Sequence, residues 1–298
     1  MSRSDVSGCL NFGTQDSGNK IPAVDVRRLE MSYDGITFMR NVTFTVAPGE
    51  ILAIMGGSGS GKSTLMKYLV GLKAVEQGEI IYFGRNFSKC SEEEQDEIRR
   101  GFGVLFQDTA LWSDRTLAEN VALPLERYTG LSAKDIREIV SFKLALVGLK
   151  GFEDFDPVEL SGGMKKRAGL ARAMALDPPL LFLDEPSAGL DPISSRRLDD
   201  LVLRIRDCLG TTFVVVTHEL PQIYAIADNT IFLDAESQSM LCQGNPKDLA
   251  ADLQTDPKVR QFLFRGKPDK TRIVQEISPD LARQRIPPKP RDMEQRVP

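Results

Sequence analysis

One histidine, one tryptophan and four cysteines among 298 residues leave little material for several kinds of chemistry. Cys9, Cys90, Cys208 and Cys242 lie far apart and make no C-x-x-C pair, and His218 is the single imidazole. Neither a metal cluster nor a disulfide framework is therefore expected, and a reducing cytoplasm fits best. An excess of positive charge is also missing: the net charge is -4 and the pI near 5.3, so no nucleic-acid partner is expected. Long apolar runs are absent too, none approaching the roughly 20 residues that span a bilayer. The N-terminus lacks the charged-then-apolar order of a signal peptide, so a membrane role would need another polypeptide. What remains is the composition of an ordinary globular protein, 41% hydrophobic and 27% charged, sized for one large domain or two modest ones.

Its most informative stretch is Gly56-Gly57-Ser58-Gly59-Ser60-Gly61-Lys62-Ser63-Thr64, which follows the apolar run Glu50 to Met55 and precedes Leu65 to Val70, whose spacing suits a helix. Strand, glycine-rich loop and helix in that order make a phosphate-binding loop. Glycines let the backbone turn so tightly that successive N–H groups point inward, and the helix start adds its positive dipole end. Lys62 can reach the β- and γ-phosphates, Ser63 offers a hydroxyl to Mg²⁺, and Thr64 or backbone groups can hold the α-phosphate side.

Around that loop the pattern keeps alternating between strand and helix. Val24 to Leu29 and Val42 to Val46 alternate apolar and polar residues as half-buried strands do, with a turn signal at Met31 to Gly35 between them. Gly78 to Gly84 reads as a short strand, Ser91 as the N-cap of a helix running to Arg100, and Gly103 to Gln107 as a buried strand with a polar end. From about 108 to 170 the spacing is helical, with Ile136, Ile139, Val140, Leu144 and Val147 expected in a core. Leu180 to Leu183 and Phe213 to Val216 are continuous apolar runs, as in parallel strands covered on both faces, so an α/β sheet is the natural class. Residues 1–22 and 266–298 read as tails, the second carrying six prolines and eight Lys/Arg against five Asp/Glu.

Two further sets of residues narrow the chemistry. Asp184 and Glu185 close the apolar run at Leu183, where Asp184 can hold Mg²⁺ and Glu185 can polarise a water that attacks the γ-phosphate. Ser161, Gly162 and Gly163 open a second helix start, with Ser161 as N-cap of a helix running on through Leu176.

Leu160 to Arg167 resembles the signature motif of the ATP-binding cassette (ABC) ATPases, and Leu183 to Pro186 resembles their Walker B motif. The resemblance extends over about residues 24–245. It implies a P-loop NTPase fold with a RecA-like core sheet, an antiparallel β subdomain and a helical subdomain within residues 23–265, and it implies hydrolysis of ATP with Mg²⁺. It also implies roles for single residues. Gln107 matches the Q-loop glutamine that contacts Mg²⁺ and the attacking water, Tyr33 the aromatic that stacks on adenine, Asp191 the end of the D-loop, and His218 the switch histidine at the γ-phosphate. Met164 stands where many members carry Gln; the serine and glycines of the motif are retained.

Members of that family work as head-to-tail pairs, each ATP lying between one chain's phosphate loop and the other's signature motif, so a homodimer is expected. Integral membrane permease subunits are the expected partners, gripped by residues between the Q-loop and the signature, where Trp112 is either core or an interface anchor. The stretches 106–125, 140–149 and 159–167 resemble the ATPases of Mla-type (mammalian-cell-entry) phospholipid transporters. That resemblance implies a peripheral site on the cytoplasmic face of the inner membrane, a lipid-binding substrate protein and a small regulatory subunit. Other ABC transporters, for amino acids, metals or lipoproteins, and an iron–sulfur assembly scaffold are the alternatives.

Overall fold

The computed structural model describes residues 21–264; Cys9, nearly all of the stretch read as an N-terminal tail, and the Pro-rich basic stretch from 266 lie outside them. Strand β1 (Val24–Tyr33) turns at Asp34 and Gly35 into β2 (Ile36–Val46). Both turn residues have positive φ, 48° and 78°, the requirement of the tight hairpin turn whose twist matches its strands. The strand therefore runs through Met31 to Tyr33, which the sequence places in a turn: a two-residue turn leaves room for full pairing up to Tyr33↔Ile36. β3 (Ile51–Gly56) leads into the glycine-rich loop and α1 (Lys62–Leu69). β4 (Glu79–Tyr82) and β5 (Arg85–Asn86) follow, then α2 (Glu92–Arg100), where Ser91 and Glu94 form a reciprocal cap. β6 (Phe102–Leu105) ends two residues short of Gln107, which stands exposed in the loop beyond it.

Helices α3 (Leu117–Tyr128), α4 (Ala133–Leu146) and α5 (Gly162–Ala173) then pack on one another. Their shared core holds Leu117, Val121, Val140, Leu144, Val147 and Ala168, with Ile136 buried and Ile139 partly so. α5 stops at Ala173, three residues before Leu176, and the chain turns through Asp177 at φ 51°. Trp112 is 51% exposed with the Arg115 guanidinium over its ring at 5.2 Å, which removes the core role open to it in the sequence.

The chain continues through β7 (Leu180–Asp184), α6 (Pro192–Leu209), β8 (Thr212–Val216), α7 (Leu220–Ile226), β9 (Asn229–Asp234), β10 (Ser239–Gly244), α8 (Pro246–Ala251) and α9 (Pro257–Leu263). The ten described strands lie in one order, β5-β4-β1-β2-β10-β9-β3-β8-β7-β6. β9, β3, β8, β7 and β6 run parallel to one another, β10 pairs antiparallel with β9, and β5, β4, β1 and β2 form an antiparallel flap joined to β10 through the single pair Ser239↔Arg40.

Alternation along the inner strands explains why they read as unbroken apolar runs. Leu180, Phe182, Val214 and Val216 face the core that contains α1 and the flap, while Leu181, Leu183, Phe213 and Val215 face the layer of α5 and α6. Both faces are covered, so every residue of these strands is apolar except at the ends. Among the described residues no helix is long and apolar enough to cross a membrane. Phosphate loop, Glu185 and His218 thus emerge at one edge, the carboxyl ends of parallel strands β3, β7 and β8.

Candidate functional site

Crowding explains two of the loop glycines. A side chain at Gly56, φ 152°, would strike the Leu233 carbonyl and lie 2.6 Å from Ser60 Oγ. One at Gly61, φ 91°, would sit 2.8 Å from the Phe38 ring and 3.1 Å from Met31 Cε, so the β1–β2 hairpin presses directly on the loop. Gly61 also starts α1 in a left-handed conformation with no side-chain cap, which leaves the first helical amides without a side-chain acceptor. Lys62 curls back over the loop, donating to Gly56 O at 3.1 Å and Gly57 O at 2.8 Å; burial pushes its pKa down, against the pull of Glu185 and Asp184.

At the end of β7 the two carboxylates differ. Burial, reinforced by the neighbouring Glu185 charge, raises the pKa of Asp184, and a hydrogen bond from Ser63 acts the other way. Its Oδ1 is buried without a hydrogen-bond partner. Glu185 is 8% exposed and sits at φ 46°, a costly region for a residue with a side chain. Its Oε1 lies 2.8 Å from His218 Nδ1, while Oε2 is buried with no partner. Orphaned buried carboxylate oxygens cost free energy unless a cation or a proton donor meets them. Hard oxygen donors from Asp184 and Ser63 suit Mg²⁺, so the residues present fit that ion.

A cleft of about 1370 Å³ is lined by Gly56, Gly57, Ser58, Gly59, Lys62, Ser63, Gln107, Glu185 and His218 together with residues of α7, α8 and α9 that are mostly apolar, Lys247 being the charged one. Ser60, Gly61, Thr64 and Asp184 stand within or beside these segments without lining it. Ser60 Oγ is buried and unpartnered. The remaining residues of the sequence reading lie elsewhere. Tyr33 is 65% exposed at the tip of the hairpin, with Lys73 Nζ 5.2 Å from its ring centroid. Ser161 and Gly162 are exposed and Gly163 half-buried at the start of α5, where the Ser161 hydroxyl accepts the Met164 amide at 3.3 Å. Asp191 caps α6, accepting from the Ile193 and Ser194 amides at 3.0 Å and from the Ser194 hydroxyl, hydrogen bonds that hold its pKa down.

Two cations on α5 have no role of their own in the sequence reading. Lys166, 5% exposed, donates to the Gln107 carbonyl and, at 3.1 Å, to the Glu185 carbonyl. Arg172 donates to Thr109 O at 2.8 Å and Ala110 O at 2.7 Å, gripping two residues at φ 62° and 50°. One signal could have found the lysine: it falls three and four residues before Gly169 and Leu170, on the buried face of the helix. A third group ties the neighbouring segments. Buried Ser187 donates to Gln222 Oε1 at 3.0 Å, and Gln222 donates to Asp199 at 2.7 Å, joining the segment after Glu185 to α6 and α7.

A phosphate loop, a strand-end carboxylate pair and an outlying capped helix start on a flap-bearing parallel sheet define an ATP-binding cassette domain. The chain belongs to the ABC transporter family, whose sequence model matches residues 39–188. It is 41% identical over 241 residues to the probable ribonucleotide transport ATP-binding protein mkl of Mycobacterium tuberculosis, a match covering 81% of this chain and 66% of that one. The chain thus spans less than two thirds of that relative's length. It is 40% identical over 240 residues to the intermembrane phospholipid transport system ATP-binding protein MlaF of Escherichia coli K12, covering 80% of this chain and 88% of that protein. Among solved structures, the dimeric ATP-binding cassette MJ0796 bound to ADP and Pi superposes with a TM-score of 0.68 at 29% identity, covering 74% and 98% of the two chains.

Proposed function

We propose that the chain is the ATP-hydrolysing subunit of a bacterial ABC transporter that moves phospholipid between inner and outer membranes. One observation carries the hydrolytic reading: Glu185 holds one oxygen against His218 and keeps the other buried and unpartnered at the cleft that the phosphate loop lines. A carboxylate so placed can take the proton of a water attacking the γ-phosphate, and His218 orients it from the other side. Lys62 and the bare amides at the start of α1 bind the β- and γ-phosphates. Mg²⁺, held by Ser63 and Asp184 with Gln107 nearby, would neutralise the developing phosphate charge. Tyr33, at the hairpin tip that abuts the loop, is the adenine platform.

Pairing follows from placement. Ser161, Gly162 and Gly163 stand at the start of α5 and do not line the cleft of their own chain, so a second copy supplies them across a head-to-tail interface. The dimeric MJ0796 cassette supports this reading. Permease subunits dock on the helical layer, where Trp112, Tyr128 and Phe142 are more than half exposed, and hold the chain as a peripheral protein on the cytoplasmic face. A lipid-binding substrate protein and a small regulatory subunit complete the assembly.

The phospholipid reading rests on MlaF, which this chain matches over 88% of that relative's length. The mycobacterial relative's name favours ribonucleotide as a second reading. Copurification from detergent-solubilised membranes separates them: phospholipid carried with the permease supports the first, and a lipid-free complex whose ATP turnover responds to ribonucleotide supports the second. For the chemistry, Glu185→Gln keeps ATP binding and slows hydrolysis at least about a hundredfold, the scale of a lost general base. Near-normal turnover in that variant overturns the role of Glu185.

A further inference from the structure

Glu185 depends on its backbone being held where a side-chain-bearing residue is strained. Its φ of 46° is a sparsely populated conformation that persists only where surrounding contacts fix it. Two ties do so from opposite sides: its amide donates to Val216 O of β8 at 2.8 Å, and its carbonyl accepts from Lys166 Nζ at 3.1 Å. The same ammonium also donates to the carbonyl of Gln107, the polar residue on the neighbouring strand-end loop. One buried charge on α5 therefore fastens the backbones of two residues whose side chains line the cleft, while Lys166 itself does not line it. Burying an ammonium is expensive unless carbonyl oxygens and opposite charge receive it, and here Asp108, Asp184 and Glu185 supply the charge. The packing leaves little slack. A side chain added at Gly169, one turn along, would sit 2.7 Å from Leu105 Cδ1 and 3.5 Å from Thr109 Cβ, so helix and loop move together.

We infer that Lys166 is a positioning residue for hydrolysis, setting the Glu185 carboxylate and the Gln107 amide against the phosphate through their main chains. This rests on Glu185 being the general base. It also makes α5 the lever between the helical layer and the reacting atoms: any rotation of that layer pulls on both residues through one side chain.

The test uses the full-length chain in the membrane complex in which it hydrolyses ATP, with kcat expressed per folded chain. Lys166→Met removes both hydrogen bonds at nearly constant volume, and a small displacement of a catalytic group costs much rate, so kcat falls at least about tenfold. KM and the dissociation constant for ATP stay within about threefold, because the ammonium makes no contact with the phosphate cradle. Lys166→Arg, which keeps a buried cationic donor, recovers most of the loss. Unchanged kcat per folded chain, or parallel weakening of ATP binding, overturns the inference. If the methionine variant does not fold, Lys166→Gln, which keeps one donor, is read by the same division between kcat and KM. Glu185→Gln measured alongside keeps the two claims apart: full turnover there removes the general base itself, whereas lost turnover there with full turnover in Lys166→Met removes only the positioning role.

Discussion

Helix α1 starts at Gly61, a left-handed residue with no side chain to cap it, whereas α5 starts at Ser161, whose hydroxyl already accepts the Met164 amide. The first start lies behind a loop that lines the cleft and is pressed by Phe38 and Met31; the second is exposed and lines no part of that cleft. Leaving helix amides uncapped costs stability unless something else accepts from them. The bare start therefore suits an anion held within the chain, and the capped start is stable alone, as the proposed pairing with a neighbour requires. On the proposed head-to-tail pairing, cradle and lid of one phosphate site are divided between two copies.

The largest effects test that division directly. Lys62→Ala removes a charge-assisted contact from the cradle and weakens ATP binding about 10- to 100-fold by equilibrium titration. A Ser161→Arg chain paired with a Lys62→Ala chain then retains one intact site, made from the first chain's loop and the second chain's signature, so the mixed dimer keeps a single ATP-binding and hydrolysing site. Two dead sites in that pair would mean that each chain uses its own signature, and the comparison of the two helix starts would fail.

Both starts were legible in the sequence because each is a run of consecutive residues with its own local physics: Gly56 to Thr64 for the loop, Ser161 to Gly163 for the cap. Inner strands were legible for a similar reason, since cover on both faces writes an unbroken apolar run at Leu180 to Leu183 and Phe213 to Val216. What joins the site could not be read. Lys166 reaches carbonyls 59 and 19 positions away in sequence, and Arg172 reaches 63 and 62 positions, so nothing in their local pattern names the partners. Backbone carbonyls are every residue's possession, and only the fold selects which are met. The same limit hid the junction of flap and core at Ser239↔Arg40.

Effects on stability come next in size and separate crowding from conformation within the cradle. Gly61→Ala places a methyl group against Phe38 and Met31 at positive φ and costs roughly 1–3 kcal/mol in chemical denaturation, with ATP binding weakened as the hairpin shifts. Gly59→Ala has a similar φ of 74° but no heavy atom within 4 Å of the new carbon, so it loses stability through conformation alone, about 1 kcal/mol. Equal losses would show that the hairpin yields and does not press on the loop.

The smallest effects put the second start against a helix far from the chemistry. Ser161 and Ser91 each cap a helix by accepting the amide three residues on, at 3.3 Å in both cases, and both are exposed. Ser161→Ala and Ser91→Ala therefore each lower stability by about 1 kcal/mol, read as a shift in the denaturation midpoint without change of slope. The Ser91 amide also donates to the Glu94 carboxylate at 2.8 Å, a bond that Ser91→Ala retains, so its loss falls at the lower end. Hydrolysis tells them apart. If the start of α5 is shared with a second copy's phosphate, Ser161→Ala lowers turnover beyond what its lost stability accounts for, while Ser91→Ala leaves turnover per folded chain at the wild-type level. Equal turnover in the two variants would reduce the Ser161 hydroxyl to a helix cap and leave the closing of the site to the glycine amides beside it.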